Sequence, residues 1–319
     1  MKQYISHQSS LEYWRKCRKL PVSSADRRCR DTLPERPSSA DSPGFSEFSL
    51  PVHVLIGDRR ARKDSLPEGS LKMHQHLFSG ETPVGCFMNI GSGLMVSSPE
   101  FCFLQMAGSL TVIKLIELGY ELCGGYSMPL SDEQDVPERG FYNRPPLTSV
   151  MKLKVFHDNM RGVKNHQKAI RSLRYILDGS ASPMETKLAM FLTLPYMMGS
   201  FGFVLPVLNK RVTLTKAARK YFSKSYYICD LFWEEEKVAV EYDSDQQHTG
   251  SDRIASDSKR RNALASAGIR VVSVTKQQLY DSAELESAAR TIAGHLGKRL
   301  FPIKNNFHAA HHELRKQLL

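Results

Sequence analysis

The alternation of apolar and polar positions changes character several times along the chain, and each change predicts an element. In "LPVHVLIG", residues 50 to 57, Val52, Val54 and Ile56 alternate with His53 and Leu55, a period of two that predicts a strand. "GCFMNIGSGLMVSS", residues 85 to 98, predicts two short strands around a Gly-Ser-Gly turn. Ser98 and Pro99 then provide a cap and a first helical residue for "PEFCFLQMAG". Leu110, Ile113, Leu118 and Leu122 come next at roughly helical spacing, and Gly124 and Gly125 stop that helix.

The second half reads as helix, strand, strand, helix, strand, helix. Ser182 caps and Pro183 starts "SPMETKLAMFLTLP". "YYICDLFW" (226–233), the turn "EEEK" and "VAVEYD" make a hairpin. "SDRIASDSKRRNALASAG" is a helix closed by Gly268, "IRVVSVT" is an apolar strand, and a last helix runs from about 283 to 297. This order predicts an α/β domain with a mixed sheet and flanking helices over 180–300, with a tail helix over 301–319. Ahead of it we expect an N-terminal helix and polar linker (1–49) and a small α+β module (50–126). Between them lie a linker and basic helical segment over 127–179, the linker part being polar with four prolines.

Composition adds a partner class. Lys and Arg number 44 against 33 Asp and Glu, a formal charge of +11 with a pI near 9.3. Such an excess favours an anionic partner, nucleic acid being the commonest, although solubility charge alone gives the same count. The six cysteines form no CxxC pair and read as free thiols in a reducing cytosol. No apolar run approaches the roughly 18 residues of a membrane span, and "MKQYISHQSSLEYWRKCRK" lacks the apolar core of a signal peptide. The expectation is a cytoplasmic protein without a membrane partner.

One stretch resists an ordinary reading. "AVEYDSDQQH", residues 239 to 248, sets Glu241, Asp243, Asp245 and His248 on and just beyond a strand whose other residues are apolar. Carboxylates are depleted in strands and costly near a core. Asp230 lies on the preceding strand, and a short turn can bring it beside Glu241. Two such carboxylates repel each other and make sense with a cation between them, and Mg²⁺ takes hard oxygen ligands of this kind. His248 fits a ligand, a base for water, or a phosphate contact. On the next helix Asp257, Arg260, Arg261 and Leu264 share a face, and Lys259, Arg260 or Arg261 can meet a phosphate.

Glu185 in the first helix, Asp230, Glu241-Tyr242-Asp243 with His248, and the run Asp257, Arg260, Leu264, Gly268 together resemble the Vsr-like branch of the PD-(D/E)XK nuclease superfamily, of the "domain of unknown function 559" type. The resemblance implies a restriction-endonuclease-like fold and a metal-dependent DNA endonuclease using Mg²⁺ or Mn²⁺. Asp230 and Glu241 would be its metal ligands, with Asp243, His248 and Glu185 in the catalytic set. The superfamily's lysine two residues after the acidic strand residue is absent, because Asp243 stands there; Lys259 or His248 would replace it. "ISHQSSLEYWR", "VHVLIG" and "LMVSSPEFCFLQMA" in the N-terminal half resemble the AbiEi-type antitoxin (abortive infection) family, which implies a winged-helix-like nucleic-acid-binding portion.

Each assignment has a plainer alternative. Ser182 to Glu185 is a capping box that accounts for Glu185 by itself. The carboxylates would otherwise be solvated surface charges, and His248 an exposed loop residue. His308, His311 and His312 near the C-terminus fit a solvated helix better than a metal site. For the whole protein the rival of the nuclease is an antitoxin-like DNA-binding regulator with an inactive nuclease fold. RNA as substrate and a homodimer or operon partner stay open.

Overall fold

The computed structural model describes residues 2–17, 33–34, 45–57, 73–79, 82–214, 225–244, 259, 261–300 and 305–319. The chain forms two compact units, residues 1–176 and 177–319, of mixed α/β architecture. Among the described residues no helix is long and apolar enough to cross a membrane.

Unit 1 is built on a five-stranded mixed sheet. Its strands are β1 (Gln3–Ile5), β2 (Val52–Ile56), β3 (Met73–Leu77), β4 (Phe87–Gly91) and β5 (Leu94–Ser97), in the spatial order β3-β2-β1-β5-β4. β1 pairs antiparallel with β2 and parallel with β5, and β2 pairs parallel with β3. β4 and β5 form the hairpin whose turn uses Gly91 and Gly93 at positive φ. Helix α1 (His7–Lys16) packs on β2, β5 and on α2 (Pro99–Met106). Ser98 caps α2 by accepting from the Phe101 N–H, and every residue of α2 is buried. α3 (Val112–Cys123), capped by Thr111, packs beside it.

Residues 127–179 lie mostly inside this unit. β6 (Tyr126–Ser127) pairs with β7 (Tyr142–Asn143), and α4 (Val150–Asp158) and α5 (His166–Leu173) pack on α2 and α3. The basic segment therefore buries one side and shows the other. Leu153, His157, Ala169 and Leu173 face inward, whereas Lys152, Lys154, Arg161, Lys164, Arg171 and Arg174 are exposed. His157 is held down to about 4 by burial, with the neighbouring His166 adding to it, so it sits neutral with Nδ1 on the Leu153 carbonyl.

A buried ion pair ties the helices of unit 1 together. Arg15 donates through Nε and Nη2 to Glu121 Oε1 and Oε2 at 3.0 and 2.8 Å, a bidentate pair. The Met128 N–H also donates to Glu121 Oε1, and Arg144 donates to the Glu121 carbonyl. Burial by itself would raise the Glu121 pKa, but the guanidinium and these hydrogen bonds outweigh it and the net shift is downward.

Unit 2 begins with α6 (Pro183–Thr193) and continues through β8 (Val207–Thr213), β9 (Tyr226–Trp233) and β10 (Val238–Asp243). It then adds α7 (261–266), β11 (Arg270–Thr275), α8 (Lys276–Tyr280), α9 (Ser282–His295) and α10 (Asn305–Leu318). The sheet order is β11-β10-β9-β8; β8, β9 and β10 run antiparallel in turn, and β11 is parallel to β10. One face is covered by α7, whose Ala263 and Leu264 pack with Cys229, Phe232, Ala239 and Ile269. Leu231, Val238 and Val240 are buried and alternate to the opposite face, so α6 and α9, which pack on β9, β10 and β11, cover that one.

Glu121→Ala would leave the Arg15 guanidinium without its carboxylate, and we expect a loss of about 3 kcal/mol in urea unfolding of unit 1. A shift no larger than that of an exposed pair, about 1 kcal/mol at most, would refute this role. Because the folded pKa is the lower one, the stabilisation is complete above the ordinary value of 4.5 and is lost as pH falls through the depressed folded value.

Candidate functional site

β9 and β10 pair with Val238 opposite Trp233, Ala239 opposite Phe232 and Val240 opposite Leu231. The antiparallel pairing ends there, and Asp230 and Glu241 are the next residues of the two strands. Both carboxylates are engaged. Asp230 Oδ2 accepts from the backbone N–H of Tyr242 at 2.8 Å, and Glu241 Oε2 accepts from the Tyr227 hydroxyl at 2.9 Å. Glu241 is only 4% exposed, on a strand with a neighbour on each side. Such bonds are what make a buried carboxylate tolerable.

β11 completes the surroundings. Its register sets Ser273 beside Glu241 and Thr275 beside Asp243, and Asp243 is exposed at the end of β10. Ser273 also lines a groove of about 490 Å³ with Arg261, Arg270 and His295. Lys259 and Arg261 are exposed. The cations of the α7 segment and β11 thus border the strand next to Glu241, an arrangement suited to an anion. His248, Arg260, Asp245 and Asp257 lie outside the described residues.

Glu185 has a structural task. The Ser182 Oγ takes the Glu185 N–H at 3.1 Å and lies 3.0 Å from Glu185 Oε1. Oε2 accepts from the Ala181 N–H at 2.9 Å and from Asn209 Nδ2 at 2.7 Å. Asn209, at a φ of 47°, falls between the pairs Leu208–Leu231 and Lys210–Cys229, and so lies across from Asp230. Glu185 therefore fastens the start of α6 to Asn209 of β8 through Oε2, while Oε1 accepts from the Ser182 hydroxyl.

Two further groups of histidines differ from expectation. In α10, His308 and His312 are exposed, but His311 is buried, with Nδ1 2.6 Å from the Gly199 carbonyl and its ring stacked on Phe307. These three residues do not converge. In unit 1, by contrast, one ligand atom from each of His53, His74 and His76 lies within 4.8 Å of the others. His7 stacks on His76 with ring centroids 3.5 Å apart, and burial first, then the neighbouring imidazoles, push His7 down to about 3. The signal in the chain is "MHQHL", whose two histidines must share one face if the segment is a strand.

No protein-family model matches the chain, and neither a curated protein nor a solved structure matches it.

Glu185→Ala leaves the Ser182 cap but removes the carboxylate's bonds to Ala181, Ser182 and Asn209 together, and we expect a loss of about 1–2 kcal/mol, read as a shift in the denaturant midpoint. An unchanged midpoint would show that these bonds contribute nothing.

Proposed function

We propose that the chain is a metal-dependent DNA endonuclease whose unit 2 hydrolyses a phosphodiester bond. The observation that carries this reading is that Asp230 and Glu241 follow the last β9–β10 pair on central strands, one of them buried, with Glu241 paired to Ser273 of a groove that carries two arginines. The order of unit 2, a helix, three antiparallel strands, a helix and a strand parallel to the third, supports the restriction-endonuclease-like arrangement that the sequence resemblance implies.

The donor set suits Mg²⁺ or Mn²⁺. Asp230 and Glu241 offer hard oxygens from adjacent strands, and a carboxylate has about four lone-pair sites, so one hydrogen bond does not exhaust it. When bound, such an ion supplies a Lewis acid for the phosphate and a water of lowered pKa. The rest is the work of the chain. Tyr227 and the Tyr242 N–H orient the two carboxylates. Arg261, with Lys259, Arg260 and Arg270, offsets the charge of the scissile phosphate. Asp243 and His248 hold the attacking water, the second of these roles resting on the resemblance alone. In unit 1, the exposed cations of the α4–α5 segment hold the DNA backbone, in keeping with the fainter antitoxin-like resemblance of that half.

Two observations favour the alternative, an antitoxin-like regulator with a silent nuclease fold. Asp230 completes the backbone pairing of Tyr242, and Asp243 stands where the superfamily has lysine.

Supercoiled plasmid, linear duplex, mismatched duplex and single-stranded DNA, each incubated with Mg²⁺, Mn²⁺ or EDTA, test the proposal. We expect metal-dependent cleavage that falls by more than about 100-fold in Glu241→Gln and Asp230→Asn, the scale of losing a transition-state stabiliser. Cleavage surviving EDTA or both substitutions would refute it. No cleavage by any protein, with equal salt-sensitive DNA retention by all three, would establish the regulator instead.

A further inference from the structure

The second constellation belongs to unit 1 and to different chemistry. β3 is an edge strand of the five-stranded sheet, and its His74 and His76 lie two residues apart, hence on one face. β2 runs parallel beside it with His53 as the direct partner of His74. His53 Nδ1 is 2.8 Å from His76 Nε2, and the His74 ring lies 4.5 Å from that of His76 and 5.0 Å from that of His53.

We infer that His53, His74 and His76 form a binding site for a late first-row divalent metal ion, of which Zn²⁺ is the type. Three ligand nitrogens within 4.8 Å of one another are close to what tetrahedral coordination needs, since Zn–N distances of about 2.05 Å set neighbouring nitrogens about 3.3 Å apart. The difference is of the order of an ångström and can be taken up by rotation of the exposed His74 ring.

The donor set selects the metal. Imidazole suits Zn²⁺, Co²⁺, Ni²⁺ and Cu²⁺, whereas Mg²⁺ and Ca²⁺ want oxygen. The unit 1 site is thus distinct in kind from the carboxylate site of unit 2.

The backbone is fixed before any ion arrives. His53 donates its N–H to Ser9 Oγ and accepts at its carbonyl from the Ser6 N–H, both at 2.9 Å. His7, between those two serines, holds φ at 47° while its N–H donates to Gln105 Oε1. Its ring lies flat on His76, with 12° between the planes, which limits rotation of that ligand. His74 is exposed, so the site opens to solvent and a fourth position is accessible to water or a ligand.

The metal-free alternative is an imidazole stack that includes the His53–His76 hydrogen bond. In it His74 stacks on His76 and is itself exposed at the sheet edge, and metal titration separates the two.

The full chain, made without a polyhistidine tag and stripped with EDTA, is titrated with Co²⁺ and Zn²⁺ in excess Mg²⁺. Co²⁺ ligand-field absorption and calorimetry are the readouts. We expect about one tight equivalent with an absorption spectrum of low-coordinate Co²⁺. That equivalent should weaken by more than about 100-fold in His74→Gln/His76→Gln. His308→Ala/His312→Ala, which removes the exposed histidines of α10, and Glu241→Gln should both retain it. Zn²⁺ should raise the melting temperature of the wild type and leave that of the double variant unchanged. Because His74 is exposed, the single variant His74→Gln keeps the fold and gives the same comparison should the double variant not fold. Binding of no ion by the wild type, or equal binding by wild type and His74→Gln, would overturn the inference in favour of the stack.

Discussion

The bidentate contact between Arg15 and Glu121 joins residues 106 positions apart and orders unit 1 around it. A carboxylate 4% exposed at its side chain is costly to bury, and only a well-aligned partner with further donors offsets that cost. Arg15 does so from the last turn of α1. Three other side chains of the same helix add to the anchorage: Ser10 and Trp14 donate to the Ser97 carbonyl, and Glu12 accepts from Ser49. α1 is therefore fixed at its C-terminal end by charge and along its length by hydrogen bonds to β5 and to the segment before β2. A helix held in this way also sets His7, Ser6 and Ser9 against His53 at its N-terminal end. The same ten-residue helix thus carries the salt bridge near one end and the contacts to His53 at the other.

Unit 2 meets the related problem of charge on a sheet by a different route. Asp230 and Glu241 accept from a peptide N–H and a phenol. An amide and a hydroxyl restrain a carboxylate without neutralising it, so these bonds leave its negative charge in place. The pairing of β10 with β11 extends through Asp243, which keeps the acidic strand straight beyond the point where its antiparallel pairing with β9 is complete. The end of the strand is in effect supported from the β11 side.

Much of this was legible in the chain because it rests on local rules. Ser98-Pro99 and Ser182-Pro183 start helices where capping chemistry says they should, and the β4–β5 and β9–β10 hairpins form around their turns. The elements that escaped are short or polar. β1 is three residues long, and β8 carries Asn209, Lys210 and Arg211 in its middle, so neither offers an apolar period. The prolines of 127–147 suggest a linker and the basic segment after them a helix; α4 and α5 form there and bury Leu153, His157, Ala169 and Leu173 within unit 1, because a one-sided stripe of apolar residues needs a partner wherever it falls. The nearness of Asp230 and Glu241 in their hairpin needed only two strands and a short turn. The histidine cluster needed the register of two strands whose pairing spans about twenty residues, and the Arg15–Glu121 contact needed the tertiary fold itself, which no local pattern encodes.

The place of β1 in the spatial order has a consequence for how the protein is made. Gln3–Ile5, the strand of unit 1 that leaves the ribosome first, lies at the middle of the sheet, between β2 and β5. Its parallel partner, Leu94 to Val96, is synthesised some ninety residues later, and a parallel pair cannot be nucleated by a hairpin. Until β5 has emerged, the nascent chain carries an apolar strand and an unfilled seam along one side of β1. Closing this sheet thus waits for residues 94–96, which join β4 and β5 to the half that β1, β2 and β3 make.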